Sequence, residues 1–82
     1  MHLDRFKSTG FRLRRLRENE ELKQENIAHL LKTSQTVYSR YEREERALPL
    51  NHLRTLCQFY DVSADYLLGL IEEPLSYKRK EK

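Results

Sequence analysis

The chain is poor in the residues that punctuate tight turns, with two glycines and two prolines among its 82 residues. That scarcity argues against an all-β fold, whose closely spaced turns draw on both. A single cysteine, Cys57, cannot close an intramolecular disulfide and fits a reducing compartment. No apolar run reaches the length needed to cross a bilayer, about 20 residues. The N-terminal segment MHLDRFKSTG lacks the apolar stretch of a secretory signal. A cytoplasmic protein with no membrane partner is expected. Catalytic patterns are missing too: there is no Ser/His/Asp or Cys/His pairing in a plausible context and no Gly-rich phosphate loop. His2, His29 and His52 do not approach a metal-ligand spacing with Cys57. An enzyme, a cofactor and a metal site are therefore not expected.

What remains is a small, charged chain. At this length there is room for one domain with a marginal core. The residues are 38% hydrophobic and 35% charged, a mix that suits a small helical domain with a highly charged surface. The net charge is +3, but it is unevenly spread. Arg5, Lys7, Arg12, Arg14, Arg15 and Arg17 face only Asp4 in the first 17 residues. Residues 18–25 and 47–75 are net acidic, and Lys78, Arg79, Lys80 and Lys82 make the last residues basic. Such asymmetry can turn one basic face toward a polyanion or simply decorate a solvated surface.

Apolar spacing marks four or five helical segments. The first spans about residues 9–19, with Leu13 and Leu16 inward and Ser8 or Thr9 as N-cap. A second, about 24–31, carries Ile27, Ala28 and Leu31 on a narrow inner stripe. The third follows Ser34 as N-cap over about 35–43, turning Val37, Tyr38 and Tyr41 inward or sideways. A fourth, about 50–60, begins beside Pro49 and buries Leu53, Leu56, Cys57 and Tyr60. After it Asp61 suits a left-handed turn, and a short helix over about 64–68 runs from Ser63 to a stop at Gly69. Val62, Tyr66 and Leu67 would close the core. His29 and His52 fall on faces expected to be solvated. Beyond Pro74 no apolar period continues, so a frayed tail is expected there, and another over residues 1–7.

The functional signal lies in residues 24–42, QENIAHLLKTSQTVYSRYE. Three or four residues between its two helices suit a helix-turn-helix. Ser34, Gln35, Thr36, Ser39 and Arg40 lie on the outer face of the second. These side chains match base edges: Gln35 can pair with adenine N6 and N7, Arg40 with guanine O6 and N7, and Thr36 can offer a methyl to thymine. The bland alternative is a polar, exposed helix face, and Ser34 can spend its oxygen on its own helix. Gln24, at a helix N-terminus, is placed for a phosphate.

The stretch from Leu13 to Leu70 resembles the Cro/CI-type helix-turn-helix family, also called the XRE family. LRRLRENEELKQENIAHLL is similar to that family's first two helices, TSQTVYSRYE to its recognition helix, and ALPLNHLRTLCQFYDVSADYLLGL to its closing pair. The resemblance implies an all-α, compact five-helix, lambda-repressor-like bundle. It also implies binding to operator double-stranded DNA, as a homodimeric transcriptional regulator, most often a repressor. It carries base contacts onto Ser34, Gln35, Thr36, Ser39 and Arg40, and phosphate contacts onto Lys23, Gln24, Lys32, Arg43 and Arg46. It makes Arg17 and Glu42 a structural ion pair between the first and third helices.

The chain departs from the family where glycine often stands after the first three helices, holding Glu21, Lys32 and Glu44 instead. If those turns keep a left-handed residue, each costs about 1 kcal/mol. Lys23 replaces the usual Ser/Thr cap, giving up about 1 kcal/mol. Glu44 and Glu45 stand near the presumed DNA surface and would repel phosphate. The expected organisation is an arm over 1–7, the helix-turn-helix domain over 8–71 and a basic tail over 72–82. An alternative keeps the fold but makes it a protein-interaction module, such as the antitoxin of a toxin pair, acting through an apolar patch at Leu68, Leu70, Ile71 and Leu75.

Overall fold

Five helices form within one residue of where the apolar spacing predicts them. They are α1 (Thr9–Asn19), α2 (Gln24–Leu30), α3 (Gln35–Glu42), α4 (Leu50–Tyr60) and α5 (Ala64–Leu67). The computed structural model describes residues 8–78. The expected arm over 1–7 and the tail residues Arg79, Lys80 and Lys82 lie outside the described residues.

Local chemistry explains most of the boundaries. The hydroxyls of Ser8, Ser34 and Ser63 each accept a hydrogen bond, at 3.1 Å, from the backbone N–H three residues on. Each thereby satisfies one of the free amides at a helix start. α2 begins differently. Lys23 has no acceptor to offer, but the Asn26 side-chain oxygen accepts from the Lys23 amide at 2.8 Å, supplying half of a capping box.

All five helices lead into a left-handed residue: Glu21, Lys32, Glu44, Asp61 and Gly69, with φ of 56°, 57°, 61°, 54° and 82°. After α2, Lys32 N–H donates to His29 O and Thr33 N–H to Ala28 O, both at 3.0 Å. This is the paired closure of a Schellman turn. The same register recurs after α1, α3 and α5. Glu21, Lys32 and Glu44 therefore keep the turn geometry that glycine would enter freely, each at about 1 kcal/mol.

The core is built on Leu13, Ile27, Tyr38, Leu56 and Leu67, all fully buried, with Leu31, Tyr41, Leu53 and Val62 around them. α3 packs against both α1 and α2, while α5 joins α1 to α4. The α1–α5 seam is also polar. Thr9 Oγ1 donates to Leu67 O at 2.7 Å, and Arg12 Nη1 donates to Tyr66 O and Ile71 O at 2.6 Å each. The Arg12 guanidinium lies 4.4 Å from the centre of the Tyr66 ring, a cation–π contact. Arg12 is thus a buried staple, 4% exposed, and not part of the basic surface that its sequence neighbours suggest.

The segment after Pro74 is tied down as far as Ser76, contrary to the expected fraying there. Ser63 N–H donates to Leu75 O at 2.6 Å, and Ser76 Oγ donates to Asp61 at 2.7 Å. Among the described residues no helix is long and apolar enough to cross a membrane.

Candidate nucleic-acid interface

The two sides of α3 have opposite surroundings. Tyr38 and Tyr41 are buried in the core, with their rings edge to face at 6.2 Å. Gln35, Thr36 and Arg40 are exposed, Ser39 is half-buried, and Ser34 is exposed but holds its own helix through Val37 N–H. This follows from helical periodicity: buried positions three apart leave the intervening polar residues outside.

A buried ion pair fixes the angle at which α3 is presented. Arg17 Nε donates to Glu42 Oε2 at 2.7 Å and Arg17 Nη2 to Glu42 Oε1 at 3.1 Å, while Nη1 reaches Leu22 O at 2.9 Å. The two side chains are 12% and 3% exposed. The guanidinium is therefore saturated on three sides and joins α1, the turn after it and the end of α3. Burial alone would raise the Glu42 carboxyl, but hydrogen bonds from Arg17 and Gln24 and the nearby Tyr38 hydroxyl outweigh it and hold it below the usual carboxylate value. Hydrogen bonding to Glu42 pushes the Arg17 guanidinium up. Burial first, then the close approach of its hydroxyl to the Glu42 carboxylate, pushes the Tyr38 pKa upward.

The network extends to the surface. Gln24 Nε2 donates to Glu42 Oε1 at 3.0 Å, and Gln35 Nε2 donates to Gln24 Oε1 at 2.7 Å. Four expected site residues on three helices, Arg17, Gln24, Gln35 and Glu42, thus form one hydrogen-bonded chain. The other expected phosphate partners, Lys23, Lys32, Arg43 and Arg46, are exposed and stand outside it. Arg43 Nη1 pairs with Glu45 Oε2 at 3.3 Å, with both side chains about half exposed. An exposed pair of this kind contributes roughly 0–1 kcal/mol and yields readily to a stronger anion.

Glu44 is exposed, but its carboxylate turns back toward α1. Its Oε2 accepts a hydrogen bond from the Gly10 amide in the first turn of α1, where the helix dipole favours an anion. Gly10 makes this approach possible, because a Cβ there would land on the Glu42 carbonyl oxygen and the Glu44 carboxylate. Gly10 and Arg12 were missed as structural keys. An isolated glycine within a helical pattern was the one available signal, since it often marks close packing. His52 is half-buried, not solvated: its Nδ1 lies 3.2 Å from the Tyr41 hydroxyl. Cys57 is buried as expected, and burial pushes its thiol up.

Comparison with known proteins gives the family. The family model described as Helix-turn-helix (HTH_3) matches residues 13–67, from the inner stripe of α1 to the end of α5. The chain belongs to the XRE-type helix-turn-helix family. Among its curated relatives is the uncharacterized HTH-type transcriptional regulator YobD of Bacillus subtilis (strain 168), 41% identical over 63 residues. That match covers 77% of this chain and 56% of YobD, so the chain spans little more than half of the relative's length. No solved structure matches the chain significantly. In this helix-turn-helix protein, α2 and α3 are consecutive helices joined by a short turn.

Proposed function

We propose that this XRE-type protein is a transcriptional regulator that binds double-stranded DNA sequence-specifically and reads the major groove with α3. The supporting observation is the exposure of Gln35, Thr36 and Arg40 on a helix whose other side is locked into the core. Gln35 is also joined to Gln24 at the N-terminus of α2. Gln35 pairs with adenine, Arg40 with guanine, and Thr36 packs against a thymine methyl, while Ser34 and Ser39 complete the surface at close range. Lys23, Gln24, Lys32, Arg43 and Arg46 grip phosphates on either side, positioning the helix without reading sequence. The reading is of a binding protein, not an enzyme, and its simplest regulatory mode is repression by occupying an operator.

Exposed leucines away from α3 offer apolar contacts for a homodimer. Leu50, Leu68, Leu70 and Leu75 are exposed at 78%, 53%, 71% and 56%. They lie on α4, after α5 and in the returning segment, none of them on α3. A homodimer held by these leucines is expected to bind half-sites one helical turn apart, about 34–36 Å. The same surface could instead receive a different protein, as in an antitoxin. Selection of bound duplexes from a random pool tests both parts of the reading. A twofold-symmetric consensus is the expected result; recovery of no preferred sequence overturns sequence-specific reading.

A further inference from the structure

Glu42 sits behind the exposed face of α3, two hydrogen bonds from the Gln35 amide. We infer that Glu42, acting through Gln24, fixes the polarity of the Gln35 side-chain amide and is a specificity-determining positioning residue for the base that Gln35 reads. The inference rests on the DNA-reading role proposed for Gln35.

A glutamine amide is nearly symmetric in shape but not in chemistry, with an acceptor at one end and two donors at the other. A freely exposed amide can turn over at little cost. Here it cannot. An ionised carboxylate only accepts hydrogen bonds, so the end of Gln24 that meets Glu42 Oε1 at 3.0 Å must be its Nε2. That leaves Gln24 Oε1 facing α3. An oxygen there calls for a donor, and Gln35 Nε2 supplies it at 2.7 Å. Two hydrogen bonds thus carry the sign of one buried charge across α2 to the outer face of α3. Arg17 keeps the source of the signal in place with two hydrogen bonds to the same carboxylate. The network has one self-consistent direction, because reversing either amide sets oxygen against oxygen or donor against donor.

The remaining hydrogen-bonding groups of Gln35 are then fixed in order. One Nε2–H lies on the side of Gln24, and Oε1 lies beyond it. Adenine offers N7 as acceptor and N6–H as donor, so this order matches it in one orientation of the base pair. A reversed amide would set its oxygen against N7. Guanine, with acceptors at both N7 and O6, opposes Oε1 in either case.

The test compares binding to the selected duplex with binding to duplexes carrying each other base pair at the Gln35 position. Phosphate contacts are common to all of them and cancel in the ratio. Wild type should favour its own pair by about 5–150-fold, the range of a good bidentate contact, and Gln35→Ala should abolish the preference. Gln24→Met leaves Arg17 and Glu42 paired, and Glu42→Gln removes the charge while keeping the shape. Each should reduce the preference at this position several-fold and leave the preference at the Arg40 position unchanged. If Gln35→Ala leaves the preference intact, the base-reading role of Gln35 fails, and the positioning role with it. If Gln35→Ala abolishes the preference while Gln24→Met retains the wild-type ratio, the positioning role alone is overturned. Equal losses at both positions would also overturn it, because they indicate a displaced helix. Thermal unfolding checks that Glu42→Gln is folded at the assay temperature; if it is not, Gln24→Met decides the matter.

Discussion

The α2–α3 face and the α4–α5 face of this molecule hold their exposed residues in different ways. On the first, exposed polar groups are anchored from behind: Gln35 leads through Gln24 to the buried Arg17–Glu42 pair. On the second, Leu50, Leu68 and Leu70 stand in solvent as apolar side chains that no hydrogen bond can direct. Directional hydrogen bonds need fixed partners to discriminate among bases. Apolar contact needs only area and tolerates adjustment. The contrast suits a surface that must distinguish among similar partners and another that need only cover itself.

The largest expected effect breaks the first face at its root. Glu42→Ala leaves a buried guanidinium unpaired and should cost about 3–5 kcal/mol, a large share of the total stability of a domain this size. Urea denaturation measures it. Because the Glu42 carboxyl lies below its ordinary value when folded, its contribution is complete above the unfolded pKa, near 4.3. It is lost as pH falls through the folded value. Stability should therefore decline below about pH 4.3 in the wild type, and Glu42→Gln should remove that part of the decline.

The next effect tests whether the α4–α5 side has a polar anchor of its own. Arg12→Met strands the carbonyls of Tyr66 and Ile71 and should cost about 1–3 kcal/mol. Chemical denaturation would show this, and amide exchange should rise in α5 while α2 and α3 stay protected. A smaller effect has the opposite sign. Lys32→Gly relieves a left-handed residue between the helices of the first face and should gain up to about 1 kcal/mol. Its thermal midpoint should rise. The smallest effect on stability belongs to Leu70→Ser, within about 0.5 kcal/mol. The same change should shift a dimer toward monomer in light scattering, and an unaltered dimer would place the contact elsewhere.

Sequence spacing located the helices because their signals are local. Ser34 and Ser63 cap the helices they precede, and Leu53, Leu56 and Cys57 repeat at helical intervals. The left-handed turns at Glu21, Lys32 and Glu44 were harder to foresee, since charged residues there hide a geometry that glycine would announce. Contacts distant in sequence were least accessible. Arg12 meets Tyr66 54 positions on, and Gly10 meets Glu44 34 positions on; nothing in either local pattern tells a buried arginine or a tethered glutamate from exposed ones. Of the candidate site, the exposure of Gln35, Thr36 and Arg40 could be read from periodicity. The link from Gln35 back to Glu42 needed the three helices brought together.

The tether from Glu44 to the start of α1 has an electrostatic consequence. A tally of letters assigns the loop after α3 two negative charges, at Glu44 and Glu45. Yet the Glu44 carboxylate is directed onto a helix's positive pole, while Glu45 sits against Arg43. With both carboxylates engaged, a polyanion approaching this edge would meet less repulsion than two free glutamates would give. Diffusional encounter would then be governed by the outlying cations Lys32, Arg40 and Arg46.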